Sequence, residues 1–128
     1  MAVEKVKEIR SFRDLIVWDK SVELVKEVYQ VTKSFPKEEI FGLTSQVRRA
    51  AVSIPSNIAE GHARLSRKEF QYFLGNARGS LAELQTQIII GKELGFLSDK
   101  EMDDIMNKAT DVARLLNGLL SSLKRANK

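Results

Sequence analysis

Between Met102 and Leu123 apolar residues recur at Met102, Ile105, Ala109, Val112, Leu116, Leu119 and Leu123, an unbroken alternation of three- and four-residue steps. That spacing is the period of one helix face, and a helix carrying it must bury the seam against other helices. Met106, Ala113 and Leu120 form a flanking row, so the seam is wider than a single partner needs. Ser98-Asp99-Lys100-Glu101 just before it is a capping box, in which serine and glutamate satisfy the first free amides of a helix.

Three more segments carry the same period. The first opens after Ser11, an N-cap, and runs to about Lys33 with Leu15, Trp18, Val22, Val25 and Tyr29 as its stripe. Leu24, Val28 and Val31 widen that stripe, and Trp18 reads as a core or interface anchor. Ser34-Phe35-Pro36 breaks the helix, because the residue before a proline is pushed out of helical angles. Glu38 and Glu39 then suit the first turn of a second helix. Its stripe is Ile40, Leu43, Val47, Ala51, Ile54 and Ile58, and Gly61 is expected to stop it as a left-handed cap. After the link His62 to Leu65, Ser66-Arg67-Lys68-Glu69 opens a third helix through Phe70, Leu74, Ala77, Leu81, Leu84 and Ile88, ending at Gly95. Four long amphipathic helices, short links and no strand signal predict an all-α, up-and-down antiparallel four-helix bundle. Residues 1–10 read as a loosely ordered leader, 11–125 as a single domain and 126–128 as a basic tail.

The second helix contains what a helix avoids. Pro55 removes the hydrogen bond to the Ala51 carbonyl and crowds it, so a kink is expected there. Beside the apolar stripe runs a polar row, Gln46, Arg49, Ser53, Asn57, Glu60 and Arg64, and the third helix carries a matching one at Asn76, Ser80, Glu83 and Gln87. If the rows face each other, Arg49 meets Glu83 or Glu60 in charge-assisted bonds. Gly75, Gly79 and Ala82 flank the second row, and interior glycines each cost about 0.5–1 kcal/mol relative to alanine, which a close approach by another helix would offset. The expectation is a buried or inter-subunit network of Gln46, Arg49, Ser53, Pro55, Asn57, Glu60, Gly61, Asn76, Ser80 and Glu83; a plain solvated face is the alternative.

Charge and composition narrow the function. A chain of 128 residues, 43% hydrophobic and 30% charged, has the size and balance of one globular domain. No apolar run is long enough to span a membrane, and no signal-peptide core follows the charged start, so a cytoplasmic location is expected. The absence of cysteine excludes disulfides and thiolate chemistry. His62 is the only histidine, expected to be a solvent-exposed loop residue, and lacks the spacing that would pair it with a second ligand on a helix face. Asp99, Asp103 and Asp104 suit a helix start and lack the glycine-punctuated loop of a calcium site. Neither a metal nor a cofactor is expected, and no nucleophile has a readable partner, so the chain reads as non-enzymatic. The net charge of +4 resides between Gln46 and Arg78, where six cations meet only Glu60 and Glu69. Arg48, Arg64, Arg67, Lys68 and Arg78, with Lys124 and Arg125 near the end, are the candidate phosphate contacts, Arg49 being reserved for the network. A solvated helix face plus a basic tail accounts for the same charges. Aromatic residues do not interleave with these cations in the sequence, so base stacking is not predicted.

Phe35-Pro36, Glu39, Phe41-Gly42-Leu43, Gln46-x-Arg48-Arg49-Ala50, Ser53-Ile54-Pro55-Ser56-Asn57-Ile58-Ala59-Glu60-Gly61, Phe70-x-x-Phe73-Leu74 and Gly79-Ser80-Leu81-x-Glu83-Leu84 together resemble the four-helix-bundle family of 23S ribosomal RNA intervening-sequence proteins. The likeness spans about Phe12 to Leu97 and continues as a generic fourth helix. It implies a bacterial cytoplasmic protein that assembles as a ring-like homopentamer. It also implies distant kinship with the accessory variability determinant of diversity-generating retroelements, a basic pentamer that binds nucleic acid and a reverse transcriptase. Two functions follow as expectations: a non-catalytic homo-oligomer binding structured RNA through clustered cations, or an adaptor recruiting a protein partner such as a reverse transcriptase. In both, Gln46 to Gly61 acts as an assembly device rather than a reaction centre.

Overall fold

The computed structural model describes residues 9–126. The leader expected over residues 1–10 therefore falls almost wholly outside the described residues, as do Asn127 and Lys128 of the basic tail. The described chain forms four long helices, α1 (Ile16–Thr32), α2 (Leu43–Ala63), α3 (Arg67–Glu93) and α4 (Asp99–Ala126), with no strand among the described residues. Each helix touches its chain neighbour and α1 also meets α4, which closes a four-membered bundle. Cross-chain pairs fix the antiparallel sense: Arg48 near the start of α2 bonds Thr32 at the end of α1, and Lys92 at the end of α3 pairs with Asp99 at the start of α4.

The apolar seams of α2, α3 and α4 are buried over most of their length, with Val47, Ala51, Ile54, Ile58, Leu74, Ala77, Leu81, Leu84, Ile88, Ile105, Ala109, Val112 and Leu116 at 0–1% exposure. Ile40, expected in the second stripe, lies before α2 and is 49% exposed, and Met102, Leu119 and Leu123 of the α4 seam are half-buried. Helix α1 differs. Its core row is Val17, Ser21, Leu24, Val28 and Val31, while Leu15, Trp18, Val22 and Val25 are half-buried and Tyr29 is exposed. The row expected only to widen the stripe is the one that faces the core. Both rows have helical spacing, and α1 rotates so that its slimmest side chains meet the closely packed centre while Trp18 lies at the edge, ring to ring with Phe12 at 5.1 Å.

The ends of the helices show where local chemistry outruns spacing. Ser11 caps a short 3₁₀ turn, Phe12–Asp14, and extended Leu15 separates that turn from α1. Glu38 and Glu39 lie in a second 3₁₀ turn, Lys37–Glu39, not in α2 itself, and the Glu39 carboxylate reaches forward to accept the Leu43 amide at 3.0 Å. The expected box at Ser98 forms, with Ser98 and Glu101 exchanging bonds of 2.8 and 3.1 Å. At Ser66 only half of it does: Glu69 N donates to Ser66 Oγ at 3.1 Å, and the Glu69 carboxylate accepts from the Ser66 hydroxyl at 3.2 Å. Gly95 takes the left-handed angle, φ 82°, that ends α3.

Gly61 does not take one. Helix α2 runs through it to Ala63, and Gly61 is buried with ordinary helical geometry. The reason is packing. A Cβ there would fall 2.7 Å from Phe73 Cβ and 3.0 Å from a Phe70 ring carbon, so only glycine lets α3 fold back this closely. Pro55 likewise lies within α2 without ending it. Beside the Ala51 carbonyl that it leaves without a backbone donor, Ser56 Oγ donates to Val52 O and Asn57 Nδ2 to Ser53 O, each at 2.8 Å.

Candidate nucleic-acid interface

The antiparallel topology gathers residues that are far apart in sequence. The link between α2 and α3, the 3₁₀ turn before α1 and the last turn of α4 all lie at one end of the bundle. Arg64, Arg67 and Lys68 therefore share that end with Arg10, Arg13, Lys124 and Arg125, all of them exposed. Asp14, Asp19, Glu60 and Glu69 are the carboxylates among them in the described residues. The opposite end presents Lys33, Lys37, Lys92 and Lys100 among Glu38, Glu39, Glu93, Asp99, Glu101 and Asp103, a balanced to acidic mixture.

The cations are not equivalent. Lys124 and Arg125 sit in the last turn of α4, where positive charge complements the helix dipole, so helix stability alone accounts for them. Arg67 and Lys68 occupy the first turn of α3, where the same dipole opposes them. The dipole that accounts for Lys124 and Arg125 therefore does not account for Arg67 and Lys68. Lys68 is exposed and pairs with no described residue. Arg64 is held in place: it bonds Glu60 at 2.8 Å, lies 3.7 Å from Glu69 and stacks over the Phe73 ring at 4.9 Å.

Two predicted cations lie elsewhere. Arg48 is half-buried near the opposite end, donating from Nε to Thr32 Oγ1 at 2.9 Å with its guanidinium 4.7 Å from the Tyr29 ring, and so ties α2 to α1. Arg78 is exposed but donates to Asn117 Oδ1 at 3.2 Å, linking α3 to α4 about 15 Å along the helix from the first turn of α3. His62 belongs to the last turn of α2 and is half-buried, edge-on to Phe70 at 5.7 Å, rather than exposed in a loop.

The two polar rows meet only at their centre. The Ser53 and Ser80 hydroxyls are 2.8 Å apart, and Asn57 Nδ2 donates to Ser53 Oγ at 3.0 Å as well as to the Ser53 carbonyl. Gln46, Arg49, Glu60, Asn76 and Glu83 are exposed, and among the described residues no ion pair joins Arg49 to Glu83 or Glu60. Short hydroxyls suit the seam between α2 and α3, whereas the long side chains at its rim reach water. The close approach foreseen at Gly75 and Gly79 is not made within this chain, since a Cβ on either would meet nothing within 4 Å. It is made at Gly61.

Sequence reasoning missed the aromatic component of the basic end. Tyr72, 65% exposed, and Phe73 line one hollow with Arg64, Ser66, Lys68 and Glu69. The i, i+4 spacing of Lys68 and Tyr72 on one helix face was the available signal. Lys92 and Lys100, held above the usual lysine range by the hydrogen bonds they donate to Asp99 and Asp104 and by the charge of those carboxylates, both belong to the opposite end. No group of three potential ligands able to hold a metal occurs among the described residues, and no described helix is long and apolar enough to cross a membrane.

Comparison with known proteins agrees with this architecture. A family profile described as 23S rRNA-intervening sequence protein matches residues 13–118. A crystal structure of a protein of unknown function from the S23 ribosomal protein family of Bacteroides thetaiotaomicron superposes with a TM-score of 0.77 at 24% identity, covering 83% of this chain and 96% of that one. No curated protein matches. Neither the family description nor the structural relative names an enzymatic activity.

Proposed function

The chain belongs to the 23S rRNA-intervening sequence protein family, and from that premise we propose that it is a non-catalytic, cytoplasmic homo-oligomer that binds structured RNA. The observation that carries the reading is the basic end: Arg67 and Lys68 stand against the dipole of α3, beside Arg64 and the last turn of α4. Phosphates neutralise such cations and release condensed counterions, so a few contacts per subunit give a sequence-independent, salt-sensitive attraction. Assembly multiplies it. A ring of subunits, five on the family resemblance, presents the same end repeatedly to one polyanion, and avidity grows without new contacts. In such a ring the open space over Gly75 and Gly79, and the exposed Arg49, Glu60, Asn76 and Glu83, are the surface through which a neighbour would complete the network.

Titrating the protein into labelled hairpin RNA across a series of salt concentrations tests the proposal. Binding at low salt, weakening linearly on a logarithmic plot with a slope of about −0.7 to −0.9 per phosphate neutralised, is the expected result. No binding at low salt, or binding indifferent to salt, would end it.

A second reading rests on the opposite end, where Phe41 is 95% exposed and Leu94 59% exposed. Such apolar side chains in water favour a protein partner, the adaptor role of which a reverse transcriptase would be one client. A pull-down from the native host that returns only the protein itself would count against it.

A further inference from the structure

The hollow at the α2–α3 link offers more than positive charge. It encloses about 410 Å³ and is lined by Arg64, Ser66, Lys68, Glu69, Tyr72 and Phe73. Tyr72 projects from the second turn of a 27-residue helix and remains 65% exposed, although a tyrosine ring gains from burial. Phe73 meets it edge to face at 5.2 Å and 84°, which sets the Tyr72 ring rather than covering it. The Arg64 guanidinium, itself paired with Glu60 and Glu69, lies over the Phe73 ring at 4.9 Å. Glu60, Arg64, Phe73 and Tyr72 thus form a braced chain that ends in one open aromatic face, with the Lys68 ammonium one helical turn away.

The geometry points to Tyr72 as a stacking platform for an unpaired base, with Lys68 taking the adjoining phosphate. The inference rests on the RNA-binding reading above and narrows its ligand from structured RNA in general to RNA that offers a single-stranded loop or bulge. In a paired A-form helix the base faces are already stacked on one another, and a side chain reaches phosphates, ribose hydroxyls and base edges but no interior base face. An exposed aromatic ring gains nothing from such a duplex. It gains a contact from a splayed base, whatever its identity, because every base has a π-face. The rigid mounting matters as well, since a ring already held in place loses little freedom on binding.

The test compares two RNAs of equal length, a hairpin with an open loop and a fully paired duplex, against the wild type, Tyr72→Ala, Tyr72→Phe and Tyr72→Trp. An exposed position leaves the fold intact, and melting and sedimentation of each variant verify that it does. Tyr72→Ala is expected to weaken hairpin binding about tenfold or more while leaving duplex binding and the salt slope unchanged. Tyr72→Phe and Tyr72→Trp should retain the preference for the loop. Equal losses on both RNAs, or none, would overturn the inference while leaving RNA binding intact. A changed sedimentation profile for Tyr72→Ala would overturn it in favour of an assembly contact. If the wild type binds neither RNA at low salt, both this inference and the function it rests on fail together.

Discussion

The two ends of the bundle each enclose a buried glycine and differ in what surrounds it. Gly61 lets α3 approach where α2 turns into it, and Gly91 leaves room on α3 for side chains packed over it from the opposite links and the start of α2. Around Gly91 the neighbours are the tips of Leu97, Phe35 and Leu43, with Phe35 and Phe96 ring to ring at 5.5 Å, an apolar plug surrounded by mixed charge. Around Gly61 the neighbours are the Cβ of Phe73 and the ring of Phe70, and outside them stand cations. One end spends its surroundings on packing and paired charges. The other carries first-turn cations and an open ring that stability does not require.

The sharpest structural separation of the two ends comes from methyl groups. Gly61→Ala places a carbon 2.7 Å from Phe73 Cβ, which can yield only if α3 shifts, and should destabilise by about 2–3 kcal/mol. At this chain length that lowers the melting temperature by roughly 6–15 °C. Gly91→Ala meets only side-chain tips at 3.2 and 3.3 Å and should cost about 1 kcal/mol. Calorimetry on both variants checks the order, and equal effects would erase the distinction.

The polar row that joins the ends divides similarly. Asn57→Ala removes the bonds to Ser53 and should destabilise by about 1 kcal/mol. Glu60→Ala loses only a surface pair with Arg64 and should change stability by less than about 0.5 kcal/mol. An Asn57→Ala protein that melts and sediments as the wild type would remove the network from the account.

The smallest effect is expected at the opposite end, from pH. The ammonium groups of Lys92 and Lys100 are held above their ordinary value of 10.5 by Asp99 and Asp104. A lysine whose folded value is raised stabilises the fold below its ordinary value and loses that contribution as pH rises through the folded value. Lys92→Gln should therefore melt slightly below the wild type near neutrality, with the gap closing above about pH 10.5. A gap that persists at high pH would contradict the pairing.

The bundle was legible because its seams are long and periodic, and burial follows α2, α3 and α4 closely. Helix α1 was half legible: two rows share its spacing, and the choice between them is made by the neighbours. The helix ends were read correctly where a side chain caps its own helix, as at Ser66 and Ser98. They were misread where a tertiary contact decides, since Gly61 looks like a helix stop until Phe70 and Phe73 are seen against it. The cations were legible as a composition, but their division between ends was not, because Arg48 and Arg64 are distinguished by their partners on α1 and α3. Tyr72 was passed over although Lys68 stands one helical turn before it in the sequence, because Arg64 and Phe73, which complete the hollow, are brought beside it only by the fold.

The central claim is that one end of the bundle faces RNA and the other does not. Paired charge reversals test it: Arg67→Glu with Lys68→Glu at the α2–α3 end, against Lys33→Glu with Lys37→Glu at the far end, each titrated with the same hairpin over a salt series. The account predicts that the first pair abolishes binding or shrinks the logarithmic salt slope by about two phosphates' worth, while the second leaves affinity and slope within about twofold of the wild type. Equal losses from both pairs would contradict it.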